Sequence, residues 1–157
     1  MQADIVDGWA EIGPAVQKWL LGDLNACHFA RCLWEASQIW DDLEDRDKGP
    51  ADHNAVLAWL AFEEMRNPWI EANAHVLKPA LLRMFLDWTT ANAFEKGADK
   101  DDLRKAYVLR ASFWGVLHTL AWLVGGDAHA RAVGPEIWRG YGETLPQYLE
   151  EMTCRDR

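Results

Sequence analysis

Cysteine is scarce in this chain of 157 residues: there are three, Cys27, Cys32 and Cys154, and they form neither a CxxC pair nor an even set. A zinc cage and a disulfide scaffold therefore lack support, and the chain reads as intracellular, with a cytoplasmic location expected. Basic residues are also short, 16 against 25 acidic, for a formal net charge of −9. That balance works against attraction to phosphate backbones and anionic membranes, so no nucleic-acid partner is expected. No basic n-region opens "MQADIVDGWAEIG", so no signal peptide is expected. Long apolar runs are missing as well. The best candidate, "ASFWGVLHTLAWLVGG" from Ala111 to Gly126, falls short of the roughly 20 residues of a membrane span, follows Arg110 and contains His118. It reads as a buried central helix, and the chain as not membrane-spanning. P-loop, dinucleotide fingerprint, HExxH and nucleophile elbow are absent too.

What is present is helix. Apolar residues recur at intervals of three and four, while strand-like alternation and Asn-Gly hairpin signals do not occur. A first helix is expected from about Ala3 to Leu21 with a break near Gly13-Pro14, and Gly22-Asp23 ends it and caps a second, from Leu24 to about Arg46. Gly49-Pro50 makes a turn, and Asp52 caps a third helix to about Arg66. A fourth segment follows Asn67-Pro68 and reaches Lys96, kinked or broken at Lys78-Pro79. Gly97 closes it. Asp99 caps a fifth helix, Lys100 to about Val124, which Gly125-Gly126 stops. A short piece at Ala128 to Val133 and a last helix from Pro135 to Met152, kinked at Pro146, complete the chain. The expectation is one all-α domain over residues 1–157, a compact bundle of six or seven helices.

"SQIWDDLEDRDKG", Ser37 to Gly49, places Asp41, Asp42, Glu44 and Asp45 within five residues near the end of the second helix. Leu33, Ala36, Trp40 and Leu43 form an apolar stripe, and Glu35, Gln38, Asp41, Asp42 and Asp45 gather on the other side. The plain reading is a solvated acidic face. Against it, no basic residue stands between Glu35 and Asp45 to relieve the repulsion, and the helix dipole disfavours anions in the last turns. A divalent cation is the natural compensation, and hard carboxylate ligands from one helix suit Mg²⁺ that completes its shell with water and substrate phosphate.

"ASQIWDDLED" resembles the aspartate-rich segment of the trans-isoprenyl diphosphate synthases, whose helices carry a DDxxD signature, one copy often preceded by Gln-Ile as at Gln38-Ile39. The resemblance implies a reduced isoprenoid synthase fold and Mg²⁺ held by Asp41, Asp42 and Asp45, with Gln38 one turn back as a helper. "RDKGPADH" is similar to the basic stretch after the family's first motif, which implies Arg46 and Lys48 as diphosphate-binding residues and His53 as a further helper. The implied ligand is a prenyl diphosphate, and the implied reaction class a transferase or lyase, with no residue assigned as catalytic. No second DDxxD faces the first. The last helix offers Glu143, Glu150 and Glu151, surface charges or replacement ligands, and a homodimer is the other source of a second acidic motif.

Ten Trp stand out. Packing accounts for most of them, while Trp114 and Trp122, with His118 on the same apolar helix, are the candidates for an apolar pocket. For His118 alone the commoner role is a satisfied core histidine. Two alternatives stay open. One is a non-catalytic helical accessory or interaction protein with an aromatic-rich binding surface, whose sign is exposed Trp. The other is an all-α nucleoside triphosphate pyrophosphohydrolase, which Asp41-x-x-Glu44 with Glu63 and Glu64 echoes loosely.

Overall fold

The computed structural model describes residues 2–45, 67–97 and 99–155, with side chains described within 8–41, 67–97 and 99–154. Every regular element among them is a helix. The chain divides into two compact units, Met1–His75 and Val76–Arg157.

The first unit opens with α1, Gln2–Trp19, and α2, Leu24–Asp45. The turn between them is read directly from Gly22-Asp23. Leu21 and Gly22 both take positive φ, 55° and 70°, and the Gly22 N–H donates to the Gln17 carbonyl at 2.9 Å. This closes α1 in the left-handed manner that glycine permits. The Asp23 carboxylate accepts from the Ala26 N–H at 2.8 Å and caps α2. The two helices pack on each other, and Val16 and Trp19 of α1, Leu20 just after it, and Ala26, Phe29, Ala30 and Ile39 of α2 are buried. Pro14 lies inside α1 without ending it. A short α3, Pro68–Ala72, is capped by Asn67, whose side chain accepts from the Trp69 N–H at 3.0 Å. The rings of Trp69 and Phe29 meet at 6.4 Å, which ties α3 to α2. The third expected helix, about Asp52 to Arg66, lies outside the described residues.

The second unit contains most of α4, Ala74–Glu95, then α5, Lys100–Arg110, α6, Ser112–Arg139, and α7, Leu145–Arg155. Asp99 caps α5 by accepting from the Asp101 and Asp102 N–H groups at 2.8 and 3.0 Å. A cluster of Ala91, Leu103, Ala106 and Tyr148, flanked by Phe94, Tyr107, Leu109, Leu149 and Met152, joins α4, α5 and α7. The expected central helix divides differently. Ala111, at φ −75° and ψ 11°, separates α5 from α6, so the apolar run belongs to α6 alone. Its first limb, residues 112–125, buries Phe113, Trp114, Val116, Leu117, Leu120 and Ala121.

Gly126 breaks α6 with φ 72° and ψ −174°, a backbone state essentially reserved for glycine. The chain then doubles back as a second limb, residues 127–139, and the two limbs form a helical hairpin held by His118. Its Nε2 lies 3.0 Å from the Ala130 carbonyl, and its Nδ1 3.4 Å from Trp138 Nε1. A carbonyl can only accept and an indole N–H can only donate, so His118 is the neutral Nε2–H tautomer. Gly134 makes room for it: a Cβ there would stand 2.9 Å from His118 Nε2.

Several expected boundaries shift for physical reasons. The fourth segment breaks at Asn73, where the side-chain amide and backbone N–H both donate to the Trp69 carbonyl, while Pro79 is carried inside α4. Pro135 does not start the last helix but lies inside the second limb of α6. Pro146 kinks nothing. It is the second residue of α7, where the missing N–H is one of the donors a helix start leaves unused.

Candidate functional site

The acidic segment sits at the C-terminal end of α2, which is unbroken from Leu24 to Asp45. Gln38, Asp41, Asp42 and Asp45 therefore fall in the last two turns, with Asp41 and Asp45 one turn apart. The one basic residue within α2, Arg31, donates to Glu35 at 2.8 Å, and the last turn contains no basic residue. Gln38 and Asp41 are half-buried. The buried edge of the helix differs from the expected stripe: Ile39 is fully buried, whereas Trp40 is 39 % exposed. Ile has no polar atom to hydrate, while the indole N–H favours a position at the margin of a core. The side chains of Asp42 and Asp45, together with Arg46, Lys48 and His53, lie outside the described residues. Among the described residues, no group of three or more His, Cys, Asp or Glu side chains is close enough to share a metal ion.

The expected pocket residues separate. Trp114 is buried at 4 % exposure in the core of the first limb of α6. Trp122, one turn beyond His118, is 43 % exposed and donates from Nε1 to Asp127 at 2.6 Å. His118 is spent on the hairpin contacts already described. The C-terminal glutamates also divide: Glu143 accepts from the Tyr141 hydroxyl at 2.9 Å, and Glu150 and Glu151 are exposed on α7.

One constellation in the second unit was not read from the sequence. Glu95 at the end of α4 forms a two-pronged ion pair with Arg110 at the end of α5, and the Tyr148 hydroxyl of α7 donates to the same carboxylate. Arg110 lies over the Trp88 ring at 5.5 Å. Tyr107 packs against Tyr141 and Tyr148, each at 5.5 Å between centroids, and donates to the Glu143 carbonyl at 2.7 Å. Burial, then the neighbouring carboxylates, push the phenols of Tyr141 and Tyr148 well above their ordinary range. Both stay protonated and serve as donors, so this network locks three helices rather than presenting a base or nucleophile. The available signal was thin: an arginine at the edge of the longest apolar stretch has to find an acid, and the three tyrosines all fall within residues 107–148.

Comparison with protein-family models, with curated proteins and with solved structures finds no match to this chain.

Proposed function

We propose that the aspartate-rich end of α2 binds Mg²⁺ and, with it, the diphosphate of a prenyl substrate. The observation that carries this reading is the run of acids in the last turns of a helix whose own basic residue is engaged elsewhere. Such a run carries both mutual repulsion and an unfavourable dipole, and hard oxygen donors fit Mg²⁺. Asp41, Asp42 and Asp45 are the ligands in this reading, Arg46 and Lys48 face the diphosphate, and Gln38 and His53 assist. Bound Mg²⁺ supplies charge neutralisation for a departing diphosphate, the chemistry of a transferase or lyase. A second acidic group, supplied by a second copy of the chain, completes the clamp. The test is thermal. Saturating Mg²⁺ with diphosphate at about 100 times its dissociation constant stabilises by roughly 2.7 kcal/mol and raises the melting temperature. Asp41→Asn with Asp42→Asn abolishes that rise. An unmoved melting temperature in the unaltered chain rejects the reading.

A second reading has its own support. Within the unit Val76–Arg157, Trp122 and Trp138 are 43 % and 44 % exposed, and Leu82, Phe85 and Leu86 are exposed on α4. That favours a non-catalytic helical interaction protein with an aromatic-rich surface. In that case Asp41→Asn with Asp42→Asn slightly stabilises the helix and harms no binding.

A further inference from the structure

None of the three cysteines is in a disulfide, and they sit in different surroundings. Cys27 is half-buried, and burial together with the Asp23 carboxylate pushes its thiol up. Cys154 is exposed on α7, one turn after Glu150 and Glu151. Cys32 is half-buried on α2, and its Sγ lies 3.6 Å from Nε2 of His28, exactly one helical turn earlier.

We propose that Cys32 and His28 form a thiol–imidazole pair that reacts with small-molecule disulfides, making Cys32 a site of reversible mixed-disulfide modification. The spacing of four residues on an unbroken helix holds the two side chains on one face, so the contact needs no tertiary rearrangement. It also survives proton transfer. With the proton on sulfur the thiol donates to Nε2; with the proton on nitrogen the imidazolium donates to the thiolate, and the second form is charge-assisted. In the reaction the Cys32 proton passes to His28 Nε2 and the thiolate attacks one sulfur of the disulfide. A new S–S bond forms as the old one breaks, and the leaving thiolate takes the proton from His28. Cys32 is oxidised and one half of the disulfide leaves reduced as a thiol.

The helix also determines where the reaction stops. Cys27 and Cys32 are five residues apart on α2, a rise of about 7.5 Å and roughly 140° around the axis. That exceeds the roughly 7 Å Cα separation a disulfide can bridge, so Cys27 does not resolve the adduct. Modification ends at the mixed disulfide until an external thiol removes it.

The experiment treats the full chain with glutathione disulfide at neutral pH, quenches with acid and maps adducts by peptide mass spectrometry. The expected result is an adduct at Cys32 ahead of the more exposed Cys154, reversed by reductant. His28→Gln is expected to slow Cys32 about tenfold or more while leaving Cys154 unchanged. Labelling of Cys154 ahead of Cys32, or a Cys32 rate unmoved by His28→Gln, overturns the proposal.

Discussion

Replacing Glu95 by Gln keeps the shape of the side chain and an acceptor for Tyr148, but removes the charge that Arg110 is folded against. The side chains of Arg110 and Glu95 are only 16 % and 10 % exposed, so water can restore little of what the guanidinium loses. Breaking a buried pair from one side costs about 3–5 kcal/mol, and the retained acceptor and residual exposure put this case near 3 kcal/mol. For a chain of this size that lowers the melting temperature by roughly 6–12 °C, read by circular dichroism at helical wavelengths. The second half of the cycle separates a stranded charge from lost packing. Arg110→Met added to Glu95→Gln removes the stranded cation, and most of the loss returns, less about 0.5–1 kcal/mol for the contact with Trp88. A single variant that melts within about 1 °C of the unaltered chain refutes the reasoning, as does a double variant whose loss is the sum of the two singles.

Gly126→Ala tests the hairpin break on backbone grounds alone, because nothing lies within 4 Å of the added methyl; φ of 72° with ψ of −174° predicts about 1–3 kcal/mol of destabilisation by urea unfolding. Gly134→Ala tests the clasp instead: its methyl meets His118 Nε2 at 2.9 Å, and overpacking of about 1–3 kcal/mol is expected, relieved when His118→Ala is added. The raised phenols of Tyr141 and Tyr148 predict loss of stability at alkaline pH. Their contribution is complete below the unfolded value of about 10 and falls as pH climbs above it, because the unfolded chain then binds fewer protons than the folded one. Their tyrosinate absorbance should therefore rise late and together with loss of helix; full ionisation of Tyr141 and Tyr148 with helix intact contradicts it.

The all-α fold was legible because its punctuation is local. Gly22-Asp23 and Asp99 end and start helices through their own backbone freedom or their own side chains, and each does so where the sequence indicates. The divisions that were missed depend on packing. Nothing in Arg110-Ala111-Ser112 forbids a helix, yet α5 buries Leu103 and Ala106 beside Tyr148 while the first limb of α6 buries its own set, and the chain bends at Ala111 to serve both. Prolines misled in the opposite direction: Pro79 and Pro135 are carried inside helices, and Pro146 begins one. The Glu95–Arg110–Tyr148 network escaped for a related reason. Its members stand 15 and 53 residues from Glu95, and no local period links an acid, a base and a phenol on three helices. The acidic end of α2, by contrast, is wholly local, and the helix reaches Asp45 as the spacing of its apolar residues indicated.

The two proposed functions draw on different parts of the chain, and this makes them separable. The Mg²⁺ reading rests on α2, in the unit Met1–His75, while Leu82, Phe85, Leu86, Trp122 and Trp138 all belong to the unit Val76–Arg157. Trp122 also holds Asp127 across the Gly126 break, so replacing it by Phe removes one hydrogen bond while keeping most of the apolar area. A Mg²⁺-dependent thermal shift that survives Trp122→Phe but not Asp41→Asn assigns the ligand to the acidic helix. Partner binding that shows the reverse pattern assigns the work to the aromatic surface and leaves the acids as a solvated face. Loss of both responses with either substitution contradicts the division itself.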